Sequence, residues 1–233
     1  MSSHKIDLYY APSSPPCRAV LLAAKSADVD LNLIQVKSSE TQQELLRINP
    51  QNTIPTIVDK DFVLWESRAI MTYLISKYAK DKSLYPLQLE KRAIIDRMLY
   101  FDVTNFYQTY LECYYPAYFN NVSFKPYHAR RVNDVFTLLD TFLKDSTFVA
   151  GNDLTVADLS IVTTVSTYEV SGVNLLRFPN VVKWYDIVRI NASGYEEADG
   201  NNVLIYRQII GDIMKKRKGD HREDKTVEEH KTF

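Results

Sequence analysis

The segment YYAPSSPPC, Tyr9 to Cys17, crowds two serines and one cysteine among three prolines. It follows the apolar run KIDLYY and precedes CRAVLLAAKSA, whose apolar spacing is helical. A serine hydroxyl at a helix start can donate to an anion that also feels the positive N-terminal field, or it can serve only as a turn or cap residue. A cysteine near the same start can ionise to a nucleophile, or can be a small half-buried apolar side chain. Residue type alone leaves Ser13, Ser14 and Cys17 all open.

Three other stretches carry polar or aromatic groups in suggestive order. In NTIPT a proline, Pro55, precedes a short β-prone run. In WESRA, Glu66, Ser67 and Arg68 open a helical pattern, where they either cap the helix or receive a carboxylate on its N-terminal amides. FYQTYLECYYPAYF is unusually aromatic, and at helical spacing Tyr107, Tyr110, Tyr114 and Tyr118 share one broad face, suited to core packing or to an apolar pocket wall.

These groups need elements to hold them. KIDLYY and DLNLIQVK read as strands flanking a helix, which is a β-α-β unit. TQQELLRI reads as a short helix, TIPTIVDKDFVLW as a hairpin turning at Asp59-Lys60-Asp61, and ESRAIMTYLISKYA as a helix. The order is βαβ-α-ββα over residues 1–83. After a linker around DKSLYPLQ, assigned to 84–90, strand signals vanish. Helices are expected over 91–115, 128–144, 155–170 and 178–190, giving an all-helical unit over 91–212. Within it, Leu154-Thr155-Val156-Ala157-Asp158 predicts a capping box between Thr155 and Asp158, with Leu154 stapled onto Leu159. The charged end, 213–233, reads as a disordered, solvated tail.

Composition narrows the partners. The chain has 233 residues, 45% hydrophobic and 24% charged, with a net charge of −1, so it can bury a real core but offers no field for nucleic acid or an anionic membrane. No signal peptide or spanning run is apparent, which makes the expected location cytoplasmic. Cys17 and Cys113 lie far apart without metal-ligand spacing, so neither a disulfide framework nor a metal site is expected. Asn121-Val-Ser123 and Asn191-Ala-Ser193 match the glycosylation sequon by chance on that reading.

Three motifs taken in order carry a family resemblance: IDLYYAPSSPPCRAVLLAAKSADVDLNL, INPQNTIPTIVDKDFVLWESRAIMTYLISKYAKDKSLYP and VAGNDLTVADLSIVTTVSTYEV. The chain resembles an insect-type cytosolic glutathione S-transferase, nearest the delta class and next the epsilon class, from about Ile6 to about Ile210. The resemblance implies a thioredoxin-like α/β domain followed by an all-α domain. It also implies a homodimer that conjugates the glutathione thiolate to hydrophobic electrophiles, with glutathione as co-substrate. A thiol with pKa near 8.5 is about 3% ionised at pH 7, and lowering it by about two units raises that to roughly three quarters. The resemblance gives that task to Ser14, with Ser13 as the runner-up hydroxyl.

It further assigns glutathione contacts to Asn52, Thr53, Ile54, Glu66, Ser67 and Arg68, with a cis Ile54–Pro55 bond. Arg68 either joins the γ-glutamyl carboxylate site or holds Asp102 across the domain junction. Tyr107, Tyr110, Tyr115 and Phe119 are assigned to the apolar pocket, and Tyr100 to the dimer contact. Asn52 stands where the relatives have histidine, and Glu40 falls near a second expected histidine. Losing a charge-assisted bond there costs about 1–2 kcal/mol, or roughly tenfold in glutathione affinity. Two alternatives remain: a Cys17-dependent thiol transferase, and a carrier of hydrophobic ligands with little catalysis.

Overall fold

A computed structural model describes residues 5–229 of the chain, with side chains through residue 217. Strand β1 (Ile6–Tyr10) buries Ile6, Leu8 and Tyr9, the near-continuous burial of a central strand. Helix α1 (Pro15–Ser26) opens on two prolines, tolerated there because the first amides of a helix have no internal partner. It crosses over to β2 (Leu31–Gln35), parallel to β1. Helix α2 (Ser39–Ile48) starts at Ser38, whose hydroxyl accepts from the Thr41 N–H at 3.2 Å. Strands β3 (Thr56–Asp59) and β4 (Phe62–Trp65) form an antiparallel hairpin, and α3 (Ser67–Tyr78) follows. The sheet order is β2-β1-β3-β4, the expected thioredoxin-like βαβ-α-ββα arrangement.

Register decides what this sheet can present. Tyr9 lies opposite Thr56, and Thr56 lies opposite Trp65. The loop after β1, the residues just before β3 and those just after β4 therefore leave the sheet at one end. With neighbouring strands about 4.8 Å apart, these three exits fall within roughly 10 Å.

The helical part comprises α4 (Leu89–Phe101), α5 (Tyr107–Cys113), α6 (Tyr115–Phe119), α7 (Pro126–Phe142), α8 (Val156–Val170), α9 (Pro179–Asn191) and α10 (Asn201–Glu229). The single helix expected over 91–115 is instead segmented. A π-helical turn, Asp102–Phe106, closes with the Tyr107 N–H on the Asp102 carbonyl, and Pro116, which has no N–H to donate, falls in the first turn of α6. A second π-helical turn, Glu196–Gly200, leads into α10.

Helix α8 is the centre of the helical part, with every residue from Val156 to Tyr168 buried. Its inward hydroxyls are satisfied locally: Thr163 donates to the Ser160 carbonyl at 2.9 Å, and Ser166 and Thr167 donate to that of Thr163 at 3.0 and 2.7 Å. At its start the Asp158 carboxylate accepts from the Thr155 N–H at 2.8 Å, as the capping motif predicts. The Thr155 hydroxyl also donates to the same carboxylate at 2.9 Å, within the capping box. Val149 N–H and Trp184 Nε1 complete the ring of donors around Asp158 at 2.9 and 2.8 Å.

The charged end falls largely within the last helix. Helix α10 runs through 213–229 without a break, where a disordered tail was expected. This stretch contains no proline, and lysine, arginine and glutamate are good helix formers, so a helix already started by packing propagates. Residues 230–233 of the expected tail lie outside the described residues. Among the described residues no helix is long and apolar enough to cross a membrane, and no group of His, Cys, Asp and Glu could hold a metal ion.

Candidate functional site

Ser14 sits at the N-cap of α1, with its N–H on the Ala11 carbonyl at 3.1 Å and its own carbonyl accepting from Arg18 N–H at 3.0 Å. Its hydroxyl caps no helix amide, and the residue is half-buried. Ser13 lies one residue earlier in the loop, also half-buried. Cys17 is fully buried. Burial pushes its thiol up to about 11, and the Ser14 side chain, the Ala11 backbone and the Arg18 charge only partly offset this. At neutral pH Cys17 is a protonated thiol closed off from solvent.

The loop before β3 is held by a residue that sequence reading passed over. Asn49 is fully buried, and its Nδ2 donates to the Thr53 carbonyl at 3.1 Å, the Thr53 hydroxyl at 3.2 Å and the Thr56 hydroxyl at 2.9 Å. Its Oδ1 accepts from Gln51 N–H at 2.9 Å. The Asn-Pro-Gln-Asn string was the available signal, since such clusters mark turns built on asparagine side chains. Thr53, expected at the site, thus has its carbonyl and hydroxyl engaged within the loop. Asn52 adopts φ 52°, a left-handed conformation that asparagine tolerates well, and its side chain is exposed. The Ile54–Pro55 bond is cis. Among the described residues no hydrogen bond uses the Ile54 N–H or carbonyl. Glu40 is exposed in the first turn of α2.

At the third exit, Glu66 is the N-cap of α3 with φ 69° and ψ 106°, an unfavourable conformation for a side chain with a Cβ. Strain of this kind costs about 1–3 kcal/mol and persists where surrounding structure imposes it. No side chain caps α3. Ser67 is buried, and its hydroxyl accepts from Arg68 Nη1 at 2.9 Å. Arg68 Nη2 donates to Asp102 Oδ2 at 2.5 Å, and Asp102, fully buried in the first π-helical turn, also accepts from the Ser160 hydroxyl at 2.6 Å and that of Thr164 at 3.1 Å.

A second arginine repeats this arrangement at the start of α1. Arg18 and Asp199 pair at 2.7 Å with both side chains fully buried, and Asp199 lies in the other π-helical turn. The guanidinium also donates to Ser166 Oγ and the Thr163 carbonyl, both at 3.2 Å, and to the Thr167 hydroxyl. Arg18 and Arg68 therefore each pair with a carboxylate on a π-helical turn that packs on α8. A π-helical turn adds one residue to its helix, which redirects side chains toward a partner that regular helical phase would miss.

The aromatic residues do not converge as expected. Tyr107 is half-buried, and its ring centroid lies 5.4 Å from the Arg68 guanidinium. Tyr110 belongs to the core rather than to a pocket wall. It is 2% exposed, its hydroxyl shares hydrogen bonds with Tyr206 at 2.5 Å and Ser171 at 3.1 Å, and its ring stacks on Tyr114 at 5.3 Å. Tyr114 in turn packs on Tyr118 at 5.9 Å, the shared face that the spacing implies. Tyr115 and Phe119 point away from that core and remain exposed, their rings 4.6 Å apart. Tyr206, on α10, has no sequence signal that joins it to Tyr110. Tyr100 stands 69% exposed on α4, beside a cavity of about 430 Å³ lined in part by Glu66, Arg68 and Val103.

Comparison with known proteins agrees with this geometry. Residues 8–82 match the model of the glutathione S-transferase N-terminal domain, and residues 104–191 match that of the C-terminal domain. A delta-class glutathione transferase of Nilaparvata lugens is 44% identical, over 89% of this chain and 99% of its own, with a TM-score of 0.86. A Bombyx mori glutathione transferase is 39% identical over 90% of this chain and 99% of its own, at 0.85. An epsilon-class enzyme from the housefly, Musca domestica, is 33% identical over 90% and 98%, at 0.82. With both halves of the fold matched and its sheet, cis-proline loop and strained helix start in place, the chain belongs to the glutathione S-transferase family, where it stands with the insect delta class.

Proposed function

We propose that this glutathione S-transferase conjugates the glutathione thiolate to hydrophobic electrophiles, with Ser14 donating a hydrogen bond to the sulfur. One observation carries the reading. The sheet register brings an α1 start whose Ser14 hydroxyl caps no helix amide, an Ile54 backbone without a hydrogen bond among the described residues and an uncapped α3 start to one end of the sheet. Glutathione carries a thiol, an extended cysteinyl backbone and a γ-glutamyl carboxylate in that spatial order, so the donors and acceptors present fit it.

The γ-glutamyl carboxylate goes to the amides and hydroxyl of Ser67 at the positive end of α3, with Glu66 taking the ammonium. The Ile54 N–H and carbonyl pair with the cysteinyl backbone, as an added strand pairs with a sheet edge. Thr53 contributes backbone shape more than a free polar group. Asn52 faces the glycyl end with a neutral side chain. At the sulfur, the Ser14 hydroxyl and the α1 N-terminal field favour the anion, so the thiol proton leaves to solvent and the sulfur lone pair attacks the electrophilic carbon. A carbon–sulfur bond forms as the leaving group departs or as the adjacent double bond takes up a proton. Tyr107, Tyr115 and Phe119 offer apolar surface to the electrophile, with Tyr110 behind them as support.

Residues 1–83 serve as the glutathione domain, 84–90 as linker and 91–212 as the helical domain. The working protein is a cytoplasmic homodimer with exposed Tyr100 at the contact. A carrier reading is motivated by Asn52 and the tyrosine-rich segment, and a Cys17-based thiol transfer is disfavoured by the full burial of that thiol.

Conjugation kinetics of Ser14→Ala and Cys17→Ala decide among these. Losing a charge-assisted hydrogen bond raises the bound-thiol pKa by about 1–2 units, so Ser14→Ala is expected to lose roughly 10- to 100-fold in kcat/KM at neutral pH. Cys17→Ala keeps its activity. Loss of activity only in Cys17→Ala refutes the assignment, and calorimetry showing no glutathione binding at millimolar concentration refutes the enzyme reading of this site.

A further inference from the structure

Helix α6, Tyr115–Phe119, has five residues and cannot hold itself together in isolation. The carbonyls at its C-terminal end lack partners within the helix. Two of them, those of Ala117 and Tyr118, accept from the two terminal nitrogens of Arg217 at 2.6 and 2.9 Å. Arg217 comes from α10, 99 and 100 residues further along the chain. A guanidinium forked across two carbonyls at a helix C-terminus satisfies both and complements the negative end of the helix. Helix α6 is also tied by the Tyr118 hydroxyl, which donates to the Ser171 carbonyl at the end of α8, at 3.2 Å. Between these anchors α6 presents Tyr115 and Phe119, 46% and 39% exposed.

We propose that Arg217 is a specificity-determining positioning residue: by clamping the C-terminal end of α6 it sets where the Tyr115–Phe119 pair stands, and so which sizes of apolar electrophile are accepted. This rests on the reading of Tyr115 and Phe119 as part of the electrophile pocket. Arg217 itself touches no substrate. It acts through the backbone of α6, from a part of α10 that lies beyond the segment carrying the sequence resemblance.

Two measurements on the full chain separate the clamp from the pocket. Hydrogen exchange in Arg217→Met reads the clamp. The Tyr118 and Asn120 amides, bonded to the Tyr114 and Pro116 carbonyls at 2.9 and 3.1 Å, are expected to exchange roughly tenfold faster. Those of α8 stay unchanged. Steady-state kinetics with a small and a bulky aromatic electrophile read the pocket. The ratio of their KM values is expected to shift by about threefold or more while KM for glutathione stays within about twofold. Arg217→Lys, which keeps the charge but loses the fork, falls between.

Unchanged exchange overturns the clamp. Faster exchange with an unchanged KM ratio overturns its role in specificity. An equal rise in both electrophile KM values and in KM for glutathione points to general loosening and also overturns the proposal. If wild-type protein conjugates neither electrophile, the reading of the pocket falls, whereas the exchange result still judges the clamp.

Discussion

Replacing Arg18 by methionine is expected to unfold this protein more readily than any loss of contact area would suggest. Methionine fills most of the same space along α1 but removes the guanidinium from a site where both it and Asp199 are fully buried. Four acceptors lose a donor: Asp199, Ser166, the Thr163 carbonyl and Thr167. Three of them lose little. Ser166 and Thr167 keep their bonds to the Thr163 carbonyl at 3.0 and 2.7 Å, and that carbonyl keeps both. The cost therefore falls on the Asp199 carboxylate, left charged and buried without its counter-ion, which is worth about 3–5 kcal/mol. A domain stabilised by about 5–15 kcal/mol loses a large part of its margin.

Asp199→Asn on the Arg18→Met background removes the stranded charge and is expected to recover at least about half of the loss, a non-additivity that marks a direct pair. Urea unfolding at fixed protein concentration, followed by the fluorescence of the buried Trp184, measures all the variants on one scale. A cost below about 1 kcal/mol for Arg18→Met, or a double variant as unstable as the sum of the singles, refutes the reasoning.

Cys17, fully buried and with its thiol pushed up to about 11, is expected to resist alkylation in the native protein at pH 8 and to react once urea exposes it; rapid native labelling counts against its burial. Asp59 gives the fold an acid-sensitive contact. Burial alone would raise its carboxyl, but hydrogen bonds from Lys77, Tyr73 and Tyr78 outweigh this and hold it well below the usual carboxylate range. Its ionised form therefore stabilises the fold at every pH above the unfolded value of about 3.9, and that contribution is lost as pH falls below it. The gap in Tm between wild type and Asp59→Asn should stay constant from pH 7 to about 5 and narrow below about 4; a gap that widens toward acid contradicts the sign. Asn52→His should tighten glutathione binding by roughly tenfold in calorimetry, because the exposed side chain regains a charge-assisted donor, and unchanged affinity removes Asn52 from the glycyl end of the site.

Local signals made the first half of the chain legible. Strand and helix periods are set by which residues can face a core, so β1, the α1 crossover and the β3–β4 hairpin follow from the pattern over a few residues each. Pro15 and Pro16 at a helix start, and Asp158 three residues after Thr155, are contacts between chain neighbours. The loop with Ser14, the cis Ile54–Pro55 bond and the α3 start with Glu66, Ser67 and Arg68 were read in the same way, helped by the family resemblance. Asn49 was visible as a turn residue but not as the buried amide that holds the loop, because its role depends on Thr56, seven residues on and inside the core.

What sequence could not supply were partners far apart along the chain. Arg18 meets Asp199 across 181 residues, Tyr110 meets Tyr206 across 96, and Arg217 reaches α6 across about 100. Helical spacing placed Tyr107 and Tyr110 together, yet only the packing of α5 against α8 and α10 buries Tyr110 and leaves Tyr107 beside Arg68. The π-helical turns at Asp102–Phe106 and Glu196–Gly200 carry no local propensity that announces them. Each carries a carboxylate that pairs with an arginine of the α/β part, a contact that exists only once the two parts are packed.

By itself, then, the sequence determined the order of elements from β1 to α3 and the place where α1 starts, since both depend on neighbours in the chain. The tertiary structure decided which side chains are withdrawn into the core and which stay exposed. Burial and ion pairing are settled by what lies across an interface, and no short window of residues contains that information.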